Sequence, residues 1–193
     1  LKKGDEVIVP TLSWSTTYYP LQQYGLKLRF VDIDIDTLNA SVQNIIKAYT
    51  KKTKLIVAVN ILGNPIELSK LRSFCRSKKI YLMEDNCESM GAKINGKFTG
   101  TFGIVNTFST FFSHHISTIE GGIILTNDFE IYNLLLALRS HGWTRDLLNN
   151  FYLKKNQTKY ENYCFALPGY NVRTTNLNAA IGLEQLKKLN KIV

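Results

Sequence analysis

Two histidines stand side by side in FFSHHISTIEGG, the stretch from Phe111 to Gly122. An imidazole takes and returns protons near neutral pH, and it also ligates metals. The chain holds 24 lysines and arginines, yet none lies between Gly100 and Gly122. Proton transfer without an amine is the chemistry this segment offers. Ser109, Ser113, His114 and His115 place hydroxyls and imidazoles after an apolar run. Such a set can meet a phosphate and a transferable proton. A pair of polar loop residues is the plain alternative. Zinc fits less well: adjacent histidines on a strand do not readily share one ion, and no CxxC or HExxH accompanies them. Gly121 and Gly122 point to a tight turn or a close backbone approach.

Other segments carry further candidates. In YLMEDNCESMGA an apolar run turns acidic, with Glu84, Asp85 and Glu88 inside five positions. Acidic residues suit a solvated strand end and a helix start. A carboxylate there also favours the protonated form of a ring nitrogen. Trp14, in TLSWSTTYYP, is either a packed tryptophan or a flat face for a planar ligand. HGWTRD and LPGYNVRTTN cluster Arg145, Asn171 and Arg173 with aromatics and glycines. Arginine suits bidentate contact with phosphate or carboxylate; incidental surface arginines are the competing reading. No GxGxxG or P-loop occurs.

These residues need elements to hold them. EVIVP, KLRFVDI, TKLIVAVNILG and IYLMEDN read as strands. STTYYPLQQYG, SVQNIIKAYT with Ser41 as cap, and IELSKLRSFCRSKK read as helices between them. That alternation predicts an α/β domain with a largely parallel sheet. VNTFSTFFS and GIILTND read as two strands joined through the His-His loop. FEIYNLLLALRSHG predicts a helix ending near Gly142, and TTNLNAAIGLEQLKKLNK a final amphipathic helix. LKKNQTKYENY reads as an exposed loop. One domain is the economical organisation.

Composition sets the outer bounds. The chain has 193 residues, 45% hydrophobic and 20% charged, with a net charge of +9. It can bury a substantial core. The positive charge is spread over small clusters, so a solvated surface or an anionic small substrate fits better than nucleic acid. No apolar run approaches membrane-spanning length. Cys75, Cys87 and Cys164 are far apart and odd in number, so a reducing cytoplasm is expected. The chain starts at Leu1 and stops inside a helical pattern, so truncation at both ends is expected.

The order of motifs is more specific than any one of them. SWSTTYYPLQQYG, MEDNCESMGA, Ser109 with a loop ending in EGG, HGWTR and PGYNVR resemble the sugar aminotransferase family of pyridoxal-phosphate enzymes. The resemblance spans essentially the whole chain. It implies a three-layer αβα fold with a mainly parallel mixed sheet, the fold-type I large domain. Residues 1–193 would be part of that domain, with the smaller C-terminal domain mostly absent. It implies pyridoxal or pyridoxamine 5′-phosphate as cofactor. Asp85 would pair with the ring nitrogen, Trp14 stack on the ring, and Glu88 lie near its phenolic oxygen. Ser109 would bind the phosphate, and Asn171 the phosphate of a neighbouring subunit's cofactor. Arg145 and Tyr163 would bind substrate. A homodimer follows from that sharing.

In aminotransferases of this family a lysine stands six residues before the glutamate of EGG. Here that position is His114. An imidazole cannot make the lysine's covalent bond to the cofactor, but it can carry a proton. The resemblance therefore implies a dehydratase branch. Its members remove the C3 hydroxyl of a nucleotide-linked 4-keto-6-deoxy sugar, here a GDP sugar, with glutamate restoring the amine form. His115 is expected to face the other way on a strand-like segment. A CDP-sugar relative with an iron–sulfur cluster is the alternative, though the three cysteines lack cluster spacing. A non-catalytic sugar-nucleotide-binding module is another.

Overall fold

A computed structural model describes residues 1–148, 151–154 and 163–193. They form two compact units, residues 1–125 with 180–193, and residues 126–179.

The first unit is built on a six-stranded sheet. Its strands are β1 (Glu6–Pro10), β2 (Lys27–Val31), β3 (Thr53–Val59), β4 (Tyr81–Asp85), β7 (Val105–Ser109) and β8 (Gly122–Leu125). A separate two-stranded hairpin pairs β5 (Lys93–Ile94) with β6 (Lys97–Phe98). The sheet order is β2-β1-β3-β4-β7-β8. The first five strands run parallel, and β8 returns antiparallel to β7 with Ser109 opposite Gly122. The parallel α/β sheet read from the sequence is therefore present, as is the strand pair flanking the His-His loop.

The inner strands are apolar on both faces because both faces are covered. Ile8, Ile56, Ala58 and Leu82 pack on α2 (Val42–Ala48) and α3 (Leu68–Lys78) through Val42, Ile45, Leu68, Leu71 and Cys75. Val7, Val9, Leu55 and Val57 face the other side, against Tyr18 and Leu21 of the segment containing α1 (Tyr19–Gln23). Buried positions Leu68, Leu71 and Cys75 fall one and two turns apart, as one helix face requires. The Ser41 hydroxyl accepts from the Asn44 N–H and starts α2, a cap worth about 1 kcal/mol. Lys79, at φ 55° in the left-handed region, ends α3.

The final helix differs from expectation. It divides into α5 (Asn176–Leu186) and α6 (Leu189–Ile192), and no residue of either is buried. In residues 126–179, α4 (Phe129–Leu138) starts at the Asp128 side chain, which accepts from the Ile131 N–H. It stops at Leu138, short of Gly142. Ala137, Leu147 and Phe151 form the local core with Leu134 and Leu167. The predicted loop at 153–163 falls largely outside the described residues. Among the described residues, no helix is long and apolar enough to cross a membrane.

Candidate functional site

Parallel strands deliver their carboxyl ends to one edge of the sheet, where α/β proteins bind ligands. Trp14 follows β1, Asn60 follows β3, Asp85 ends β4 and Ser109 ends β7. A small cavity at that edge, about 30 Å³, is lined by Trp14, Asn60, Asp85, Cys87 and Glu88 among others. A larger cavity of about 650 Å³ is lined by Leu62, Glu88, Ser113, His114, His115 and Ile192. That volume lies within the usual range for small-ligand sites. Glu88 borders both cavities. Three separately read motifs, around Trp14, around Asp85 and in the His-His loop, thus line these two neighbouring cavities.

Asp85 is held on both oxygens. Its Oδ2 accepts from the Thr17 hydroxyl at 2.8 Å, and its Oδ1 accepts from the Cys87 N–H at 3.2 Å. Glu88 is held through Oε2, which accepts from the Leu62 N–H at 2.7 Å. Leu62 itself sits at φ 50° and is exposed. Trp14 is 75% exposed, so its ring is a free face and the packed-tryptophan reading fails. Ser109 is partly buried, with its Oγ accepting from the Phe111 N–H at 3.2 Å. Burial, together with the Asp85 and Glu88 carboxylates, pushes the Cys87 thiol up to about 12. That thiol is a poor nucleophile at neutral pH.

Glu84 departs from the acidic cluster read in the sequence. Alternation along β4 turns it away from Asp85, and it is fully buried. Its carboxylate accepts from the N–H groups of Gly100, Phe102 and Gly103 at 2.7, 2.7 and 2.8 Å. Its work is structural. Behind the edge, Asn60 Nδ2 donates to Asn86 Oδ1 at 2.7 Å, and Asn60 Oδ1 accepts from the Ile66 N–H. These buried amides fix the chain on either side of Asp85.

The His-His loop corrects one expectation. β7 ends at Ser109, and residues 110–121 form turns, not strand. Strand alternation does not apply there, so His115 does not face away: both imidazoles border the larger cavity. The loop is closed by its own backbone. Thr110 N–H donates to Gly121, Thr118 N–H to Thr110, and the two threonine hydroxyls meet at 2.7 Å. Ile116 anchors it in a cluster with Met90 and Phe108. Among the described residues neither imidazole is hydrogen bonded, and Nδ1 of His115 is buried without a partner. Sequence reasoning also missed Thr17, whose hydroxyl in SWSTT was visible but not tied to Asp85 until the fold joined them.

Arg145, Tyr163 and Asn171 lie in residues 126–179. The Arg145 guanidinium stands 3.8 Å over the Trp143 ring. Tyr163 stacks on Trp143 at 5.6 Å and 17° and is exposed. Arg145 and Tyr163 therefore share one aromatic platform. Asn171 bridges to Ser140 through the backbone, and its Oδ1 accepts from Arg173 at 3.4 Å.

Residues 1–193 match the model of the DegT/DnrJ/EryC1/StrS aminotransferase family. The chain is 54% identical over 195 residues to GDP-4-keto-6-deoxy-D-mannose 3-dehydratase of Yersinia pseudotuberculosis, covering 100% of this chain and 50% of that protein. A crystal structure of GDP-4-keto-6-deoxymannose-3-dehydratase, with one histidine replaced by asparagine and GDP-perosamine bound, superposes with a TM-score of 0.95 at 54% identity. A second structure of that enzyme, with a trapped PLP-glutamate geminal diamine, superposes at 0.93 and 54%. Each covers 99% of this chain and 50% of the other. The chain spans about half the length of the curated relatives it matches.

Proposed function

The chain belongs to the DegT/DnrJ/EryC1/StrS aminotransferase family, and from that membership we propose that it acts as a pyridoxal-phosphate-dependent 3-dehydratase. Its substrate would be a GDP-linked 4-keto-6-deoxymannose, and its product the 3-deoxy-4-keto sugar, used in lipopolysaccharide O-antigen synthesis. One observation carries the reading. His114, where the aminotransferases have lysine, borders a cavity that shares Glu88 with the Asp85–Trp14 pocket.

The residues fit the cofactor. Trp14 offers an exposed aromatic face beside a strand-end carboxylate, Asp85, whose orientation is fixed from two sides. Glu88 lies between that pocket and the histidines. Ser109 presents a hydroxyl at the end of the neighbouring strand. When bound as pyridoxamine phosphate, the cofactor supplies an amine for the sugar ketone and a ring that accepts electron density.

The protein's own groups do the rest. Asp85 would favour the protonated form of the ring nitrogen. Trp14 would cover the ring, and Ser109 would hold the phosphate. The His114 imidazole would carry the proton between the cofactor carbon next to the ring and the departing C3 oxygen. Acid–base help of this kind is worth about 10²–10⁴-fold. Once the C3 oxygen has left, the sugar nitrogen would stand on an enamine whose imine form water hydrolyses to the ketone and ammonia, while His114, unable to form a Schiff base, would not hold the aldehyde. Arg145 and Tyr163 would bind substrate from their shared platform, and Asn171 would reach the cofactor phosphate of a second subunit in a homodimer. Three free thiols accord with a cytoplasmic setting.

The test is a mass balance with glutamate and GDP-4-keto-6-deoxymannose. One ammonia and one 2-oxoglutarate should form per 3-deoxy sugar. Retention of nitrogen on the sugar would overturn the reading in favour of an aminotransferase. Turnover of CDP-4-keto-6-deoxyglucose alone would overturn the choice of nucleotide.

A further inference from the structure

Asp85 does not stand alone at the end of β4. Thr17 Oγ1 lies 2.8 Å from Asp85 Oδ2 and 2.8 Å from Ser13 Oγ. Thr17 has one hydroxyl hydrogen. A carboxylate only accepts, so that hydrogen goes to Asp85. Thr17 then has only a lone pair for Ser13, and Ser13 must be the donor. The order is fixed: Ser13 to Thr17 to Asp85. All three are partly buried, and each bond polarises the next. On the other oxygen, the Cys87 N–H donates to Oδ1.

The arrangement joins distant parts of the chain. Ser13 and Thr17 flank Trp14 and Ser15 in the turn after β1, 68 positions before Asp85 in the case of Thr17. The same turn therefore carries the aromatic face and the hydroxyls that orient the carboxylate. If Trp14 and Asp85 address one ring, their relative placement has to be kept, and the Thr17–Asp85 bond is the direct tie between them.

We infer that Ser13 and Thr17 are positioning residues that orient Asp85 toward the ring nitrogen of a pyridine cofactor. This rests on the reading of Asp85 given above. A carboxylate held on both oxygens keeps one lone pair on each for a further donor. Without the Thr17 hydroxyl, Oδ2 loses its partner and the side chain is free to turn away. Supporting shells of this kind decide how well a site is preorganised.

The experiment uses the full chain loaded with pyridoxamine phosphate labelled with ¹⁵N in the ring. The ¹⁵N resonance reports whether the ring nitrogen is protonated, and a titration gives the cofactor Kd. Thr17→Val keeps the shape and removes the hydroxyl. It should move the resonance toward the unprotonated position and raise Kd about tenfold, the value of one hydrogen bond to a charged group. Thr17→Ser should restore both. Ser13→Ala should shift them in the same direction by about two- to threefold. Asp85→Asn is the reference and should show the largest change. A Thr17→Val protein matching wild type, while Asp85→Asn shifts, would overturn the inference and leave the proposed function standing. Thr17→Ser as damaged as Thr17→Val would also overturn it, because shape and not the hydroxyl would then matter. No shift in Asp85→Asn would overturn the role of Asp85, and with it both readings.

Discussion

Two loops flank β7, and they spend their polar groups in opposite ways. The loop before it, residues 99–103, aims three backbone N–H groups at the buried Glu84 carboxylate. Every strong group there is consumed inside the fold. The loop after it, residues 110–121, closes its backbone through Thr110 and Thr118 and, among the described residues, leaves two imidazoles without a hydrogen bond beside a cavity of about 650 Å³. Buried polar groups without partners are costly, so a fold normally pairs them. At His115 the unpartnered Nδ1 lies beside a cavity wide enough for a ligand to meet it. By this difference Glu84 is architecture, and the histidine pair, with the unpartnered Nδ1 of His115 beside the proposed proton carrier His114, is where chemistry is proposed.

The largest expected effect breaks the function and spares the fold. His114→Asn should lower dehydration by about 10²–10⁴-fold, about 3–5 kcal/mol of barrier. Thermal stability should stay near wild type, because among the described residues the imidazole makes no hydrogen bond and only an edge contact with the Phe111 ring at 6.4 Å. Cofactor titration and product formation by mass spectrometry measure the two sides. Retained dehydration in a His114→Asn protein would end the role assigned to His114. Running His115→Asn in parallel sharpens the result, since both rings border the cavity. A smaller loss there identifies His114 as the main proton carrier.

The converse substitution breaks the fold and touches no ligand group. Glu84→Gln keeps the volume but sets an amide NH₂ against backbone donors. One buried N–H then lacks an acceptor, which costs about 3 kcal/mol. For a chain of this length the thermal midpoint should fall by about 6–12 °C. Gly100 makes the cradle hard to rebuild: it sits at φ +80°, and a Cβ there would run into the Phe108 ring. If Glu84→Gln instead removed activity at unchanged stability, Glu84 would belong to the site and the contrast between the loops would fail.

Much of this was legible in the sequence because strand ends in a parallel sheet gather whatever follows them. EVIVP, TKLIVAVN and IYLMEDN mark buried strands by their unbroken apolar runs, and Trp14 and Asp85 stand where the runs stop. Position relative to a strand end is a local property, so it can be read locally. The facing of His115 was not, because it depends on where β7 gives way to turns. Ser109 to Thr110 looks like continued strand, and only the tertiary pairing of Thr110 with Thr118 bends it. Glu84 was grouped with Asp85 for the opposite reason. Its partners are backbone N–H groups at least 16 positions away, and backbone donors leave no mark in a sequence. The Thr17–Asp85 bond, 68 positions apart, is invisible in the same way.

A third carboxylate lies between these extremes and gives the smallest effect. Glu6, at the start of β1, accepts from Thr53 at 2.6 Å and Thr50 at 2.8 Å, and it faces Arg29 of β2 at 3.6 Å. It ties three strands together at the edge opposite the site. Burial pushes its pKa up, but the two threonine hydroxyls and the Arg29 guanidinium outweigh this and bring it below 4.5. A carboxyl with a depressed folded pKa adds stability above its unfolded value and loses it as pH falls through the folded one. The urea midpoint of wild type should therefore exceed that of Glu6→Gln at pH 7. The gap should hold down to about pH 4.5, where the unfolded carboxyl begins to take its proton, and close below that. A gap that stayed constant or widened on acidification would show that hydrogen-bond shape, and not charge, binds Glu6 to its threonines. Glu6 would then stand with Glu84 as architecture, but of a kind indifferent to its proton.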